Sequence, residues 1–112
     1  MTEDDFREIA LALAGALEGS HMGHPDFRAN GRIFASLHGN DTTGMVKLTL
    51  EQQAAFERDH PKVFTPASGA WGRQGCTKVT LRPAKTPALR SAMLIAYQGV
   101  MEMPKAKPRK TR

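Results

Sequence analysis

Apolar residues recur every third or fourth position at the two ends of this chain and every second position between them. Near the start, Phe6, Ile9, Ala10, Leu13 and Leu17 fall on one helical stripe, predicting an amphipathic helix over residues 2–18. Thr2 is placed to cap it, Asp5 stands where a capping-box acid would, and Glu3, Asp4 and Asp5 suit the positive end of the helix dipole. Near the other end, Leu89, Met93, Ala96, Tyr97 and Val100 form a second stripe. Thr86-Pro87 opens that helix with proline at the favoured first position, and Pro104 marks its end.

Between the stripes the period drops to two. Phe27 and Ala29 alternate with Asp26 and Arg28, after a turn or extended dipeptide at His24-Pro25. Asn30-Gly31 then supplies a type I′ hairpin turn. Strict alternation through "RIFASLH" puts Ile33, Ala35 and Leu37 on one face, and Val46, Leu48 and Leu50 continue that face beyond "GNDTTG". A short helix follows, with Thr49-x-x-Gln52 as its capping box and Pro61 preventing it from passing His60. After the irregular "KVFTPASGAWGRQG", the run "CTKVTLR" aligns Thr77, Val79 and Leu81. The expected fold is α+β in two layers: an antiparallel sheet with the N- and C-terminal helices packed on one face, the other face partly open to solvent.

Charge refines this picture. The 112 residues carry 16 Lys and Arg against 11 Asp and Glu, a net +5. The tail 104–112 holds Lys105, Lys107, Arg109, Lys110 and Arg112; removing those five leaves 11 bases against 11 acids in residues 1–103. The sequence therefore divides into a neutral domain, 1–103, and a basic tail, 104–112, whose composition predicts disorder. Strict alternation would turn Asp26, Arg28, Arg32, Phe34, Ser36, His38, Lys47, Thr49, Cys76, Lys78, Thr80 and Arg82 outward, giving the open face +4. The first helical segment would carry −4 and the short helix −2, so the neutral domain is expected to be dipolar. An exposed sheet displaying Lys, Arg and Thr to water is one account of such a face. An anion-binding surface, with Phe34 and Trp71 offering rings for stacking, is the other.

"AWGRQGCTKV" concentrates the only tryptophan and the only cysteine of the chain. Gly72 and Gly75 there allow unusual backbone angles or close packing. Trp71 is expected to cap one end of the sheet, and Arg73 to point either into solvent or toward a bound anion. The cluster reads as a packing device with a binding function laid over it.

"HPDFRANGRIFASL", "KLTLEQ", "FTPASGAWGRQGCTKVTL" and a closing helix containing "AY" resemble the MmcQ/YjbR family, often described as DNA-binding, over about residues 4–100. Its motif falls here on Phe27, Arg28, Gly31, Phe34, Trp71, Gly72, Gly75 and Thr77. The resemblance implies a frataxin-like (CyaY-like) fold with a double-wing arrangement, and it transfers no catalytic residue. Many relatives carry an aromatic residue near Cys76, so contacts made by that ring do not carry over.

Other chemistry is weakly supported. His21-x-x-His24 spans a turn with no completing ligand set, so no metal site is expected. Cys76 lacks a paired base and reads as an inert thiol, and no disulfide can form within the chain. The glycines of "GAWGRQG" do not follow a strand and open a helix, as a nucleotide loop requires. The acids of the first helix resemble frataxin's iron-binding helix but are also ordinary N-terminal charges. No cofactor and no enzymatic activity are expected, and no run is long enough to span a membrane. The acidic start and single cysteine suit a cytoplasmic chain.

The expected function is low-specificity DNA binding by Arg28, Arg32, Lys47, Arg73, Lys78, Arg82 and the tail bases Lys105, Lys107, Arg109 and Lys110. The alternative is a protein–protein adaptor or small-ligand module. A pocket lined by Phe34, His38 and Trp71 would favour the alternative, and a continuous positive face would favour DNA.

Overall fold

The computed structural model describes residues 1–40 and 42–104. Thr2 accepts from the backbone N–H of Asp5, whose carboxylate accepts from the backbone N–H of Thr2, and this closed capping box starts α1 (Glu3–Leu11). Those hydrogen bonds hold the Asp5 carboxyl below its ordinary range. The helix is shorter than the apolar stripe suggests. The chain leaves it at Ala12, passes Gly15 at φ 76°, and enters β1 (Leu17–His21), an element the helical reading had absorbed. Leu17, expected in the core, is 70% exposed on this strand.

β1 turns through Met22 and Gly23, both at positive φ, into β2 (His24–Ala29). Asn30 and Gly31, at φ 55° and 72°, form the anticipated tight turn into β3 (Arg32–Leu37). β4 (Thr43–Lys47) leads to α2 (Leu50–Asp59), started by the Thr49–Gln52 capping box and ended before Pro61. The stretch read as irregular contains β5 (Phe64–Pro66) and a single-turn helix, α3 (Gly69–Arg73). β6 (Cys76–Thr80) and α4 (Thr86–Met101) complete the chain.

The six strands form one antiparallel sheet in the order β1-β2-β3-β4-β6-β5. Its inner face packs on helices. Phe6 of α1 lies against Phe27 with ring centroids 5.9 Å apart, and Phe56 of α2 against Phe64 at 5.0 Å. Leu89, Ala92, Met93, Ala96 and Val100 of α4 are buried over the middle strands. Phe6, Phe27, Phe34 and Phe64 are all fully buried. Each such side chain contributes about 1.5–3 kcal/mol relative to an exposed one.

β3 departs from simple alternation. Phe27 lies opposite Ala35, yet Arg28 lies opposite Ile33, so Phe34 is an extra residue with no partner in β2. A bulge of this kind turns two consecutive side chains to one side and reverses the facing of everything before it. Phe34 and Ala35 both point inward, Phe34 packing edge-on against Tyr97 of α4 at 5.7 Å. Ile33 therefore joins Arg28 on the open face, and Arg32 turns toward the helices, opposite buried Ala29.

Candidate functional site

The open face is built from the residues that the register leaves away from the helices. One cross-strand row runs Gly19, Asp26, Ser36, Met45, Lys78, Thr65. Beside it lie Leu17, Arg28 and Ile33 toward one end, and Lys47 opposite Cys76 in the other half of the sheet. Ser36 and His38 thus face as alternation predicts, whereas Arg32 and Phe34 do not. Phe34 is fully buried and cannot stack on a base, nor can it line a pocket with His38 and Trp71.

Arg32 has a different use. Its Nη2 donates to the carbonyl of Pro104 at 3.2 Å, while Asn30 Nδ2 donates to the carbonyls of Val100 and Met103 at 2.9 and 3.0 Å. The two side chains satisfy carbonyls at the end of α4, where a cation also complements the helix dipole. Arg32 Nε is buried without a partner among the described residues. An arginine held this way is withdrawn from the open face.

Arg28 stays on the open face but is occupied. Its Nε and Nη2 donate to Asp26 at 2.7 and 3.0 Å, and His21 Nδ1 lies 2.7 Å from Asp26 Oδ2. Asp26 is fully buried beneath these two partners. The Arg28 hydrogen bonds, ahead of the opposing effect of burial, hold its carboxyl below the ordinary carboxylate range. The Arg28 charge is therefore largely compensated where it stands.

The other half of the face is different. Lys47 and Lys78 are exposed there; on the connection into β6, Trp71, Arg73 and Gln74 are exposed as well, with Gln74 lining a groove beside Ile95 and Gly99 of α4. None of these cations forms an ion pair with a described residue. Arg82 is exposed too, but lies in the turn past the end of β6. Lys105, Lys107, Arg109 and Lys110 lie outside the described residues.

Trp71 does not cap the sheet: it is 68% exposed. The packing role in this stretch belongs to the two glycines. A Cβ on Gly72 would stand 1.9 Å from the Ala67 carbonyl oxygen; one on Gly75, where φ is 102°, would stand 1.8 Å from that of Leu48. Gln53, buried on α2, ties the same segment down by donating from Nε2 to the carbonyls of Gly72 and Cys76 at 3.1 and 3.0 Å. Motif composition had signalled the glycines but gave no sign of Gln53. Cys76 is buried, and that burial pushes its thiol above the ordinary range against a smaller opposing effect of Lys47, which disfavours the thiolate.

Among the described residues, no cluster of three or more His, Cys, Asp or Glu is arranged to hold a metal ion. None of the helices there is long and apolar enough to cross a membrane. No family model and no curated protein matches the chain. Among solved structures it is similar to Deinococcus radiodurans protein DR2400, a DUF419 domain protein, with TM-score 0.76 and 19% sequence identity. The match covers 90% of this chain and 79% of that one. At this identity the likeness establishes the α+β fold, a six-stranded antiparallel sheet with helices at both ends of the chain.

Proposed function

We propose that this chain is a small non-enzymatic domain of the MmcQ/YjbR type, to which the DUF419 fold is related, and that it binds nucleic acid with little sequence preference. The observation that carries this reading is a largely exposed tryptophan, two residues from Arg73, on the segment that leads into β6, the strand that bears Lys78 and whose Cys76 lies opposite Lys47. Cations on a sheet and an aromatic ring at its rim are what single-strand binding uses: phosphate attraction for affinity, stacking for grip. Arg32 and Phe34 have no part in it. The basic tail adds sequence-independent attraction that weakens with salt.

Fluorescence titration of a labelled oligothymidylate tests this. Trp71→Ala should weaken binding by about 1–3 kcal/mol, the usual worth of one stacked base. Lys47→Glu and Lys78→Glu should each lower both affinity and its salt dependence, whereas Arg32→Ala should leave binding unchanged. If Trp71→Ala and Lys47→Glu are both silent while removal of 104–112 abolishes binding, the domain is not the reader. The adaptor alternative then takes its place.

A further inference from the structure

Three of the four histidines share one part of the open face, away from Trp71. His21 and His24 flank the first hairpin turn as a cross-strand pair, with ring centroids 6.4 Å apart. Two residues beyond the Asp26–Ser36 pair on each strand stand His24 and His38, and a Cβ on Gly39, next to His38, would lie 3.8 Å from His24 Nδ1. The row continues to Thr43 and Thr80.

Two of these rings are fixed in a common sense. His21 spends Nδ1 on Asp26, and His38 places Nδ1 2.6 Å from Thr43 Oγ1, itself 3.3 Å from Asn40 Nδ2. Both rings thereby keep Nε2 for something else. The charged groups around them are Asp26 and Arg28 on β2 and Lys78 on β6. Asp26 is buried and its acceptor oxygens are already engaged by Arg28 and His21. Asp41, next to Asn40 in sequence, lies outside the described residues. His24 and His38 thus stand in one row, with Lys78 in the row beside it, and no described acid is free to answer them. Burial first, and then the charges of His24 and Lys78, hold the His38 imidazole below the usual histidine range. A bound anion would relieve the second part of that cost.

We propose that this row, with Lys78 of the neighbouring row, is an oxyanion site: His24, His38 and Lys78, with His21 set beside them by Asp26, donate N–H bonds to a phosphate group. Its chemistry is that of a phosphate dianion or diester, and its strength rises as the imidazoles gain protons. The site shares Lys78 with the nucleic-acid reading but none of its other groups, and it does not depend on Trp71, Arg73 or Lys47.

The test is an NMR titration of the full chain, following histidine ring signals. The first probe is inorganic sulfate, whose charge is constant between about pH 5.5 and about pH 8, the range over which histidine titrates. Saturable shifts are expected at His21, His24 and His38. His60, packed on Phe64 at the end of α2, serves as the internal control and should not move. Affinity should be about tenfold or more weaker at the higher pH, and the double variant His24→Gln/His38→Gln should lose a similar factor at the lower pH. His24→Gln alone, at an exposed position, reads the same loss if the double variant does not fold. Trp71→Ala and Lys47→Glu should leave sulfate binding intact, so the site stands even if the nucleic-acid reading fails.

Inorganic phosphate and an oligothymidylate then distinguish the source of the anion. Displacement of sulfate by the oligonucleotide, with shifts at the same three rings, identifies a nucleic-acid backbone; displacement by phosphate alone identifies a small phosphate-bearing ligand. Shifts at His60 equal to the others, affinity independent of pH, or indifference to the histidine variants would overturn the proposal.

Discussion

The two halves of the open sheet face carry the same kinds of residue and treat them in opposite ways. On the β1–β3 side, Arg28 is bound to a buried carboxylate and Arg32 has been turned through the sheet to serve the end of α4. On the β4–β6 side, Lys47, Lys78 and Arg73 stand exposed with no ion pair among the described residues. A count of strand cations alone, Arg28 and Arg32 against Lys47 and Lys78, makes the halves look alike. What a polyanion meets depends on which cations already have a partner, since a compensated charge adds little to the external field.

The hardest blow to this contrast should come from Gly75→Ala. A Cβ there runs into the Leu48 carbonyl oxygen at a backbone angle that side chains rarely adopt, and the Gly75 carbonyl also accepts from the Leu48 N–H at 3.1 Å. We expect a loss of about 3 kcal/mol or more in chemical denaturation. In whatever fold persists, NMR shifts should concentrate in residues 47–49 and 70–77, with the His21–Asp26–Arg28 signals little changed.

A smaller effect, and one that would make the halves converge, is expected from Asp26→Asn. Charge-assisted hydrogen bonds to two partners are weakened, costing about 2 kcal/mol given that both partners are half-exposed. Arg28 is freed at the same time, so oligonucleotide affinity should rise as stability falls. The linkage has a defined sign. Because the folded carboxyl titrates below its unfolded value, the native protein's Asp26 contribution is present above the unfolded pKa of about 3.9 and is lost as pH falls through the folded one. The variant's acid-denaturation curve should lack that component.

The least of the three concerns His38. Its imidazole binds protons less readily in the folded chain than in the unfolded one, so stability should decline as pH falls below the unfolded value of about 6.5. His38→Gln should flatten that segment of the stability profile and leave the carboxylate limb in place. An unchanged slope would mean that neither burial nor the charges of His24 and Lys78 hold this ring below its usual range.

Much of the architecture was legible because its signals are local. Both capping boxes, the Asn30-Gly31 turn, the proline-led α4 and the inward set Thr77, Val79 and Leu81 follow from neighbouring residues. The misses have non-local causes. β1 was hidden because Leu17 continues the spacing of Phe6, Ile9, Ala10 and Leu13, and because Met22-Gly23 is a turn without the usual Asn or Asp. The facing of Arg32, Ile33 and Phe34 was misread because period-two alternation presumes equal residue counts on paired strands. Nothing within "RIFASL" announces an extra residue; only its partner "HPDFRA" does, through the register. Trp71 was misjudged for a different reason: in "AWGRQG" the large ring drew the packing role that two missing side chains perform.

The bulge at Phe34 also alters how this surface can be inherited. Within a strand, loss of a single codon is ordinarily a frame error of facing that propagates to the strand's end. In β3 the extra residue is Phe34 itself, so deletion at Phe34 would keep Ile33 opposite Arg28 and Arg32 opposite Ala29, removing a core ring without changing which side either neighbour faces. The character of this half of the face is thus set by strand register as much as by composition, and a chain that lost the extra residue would still hold this arginine on the helix side.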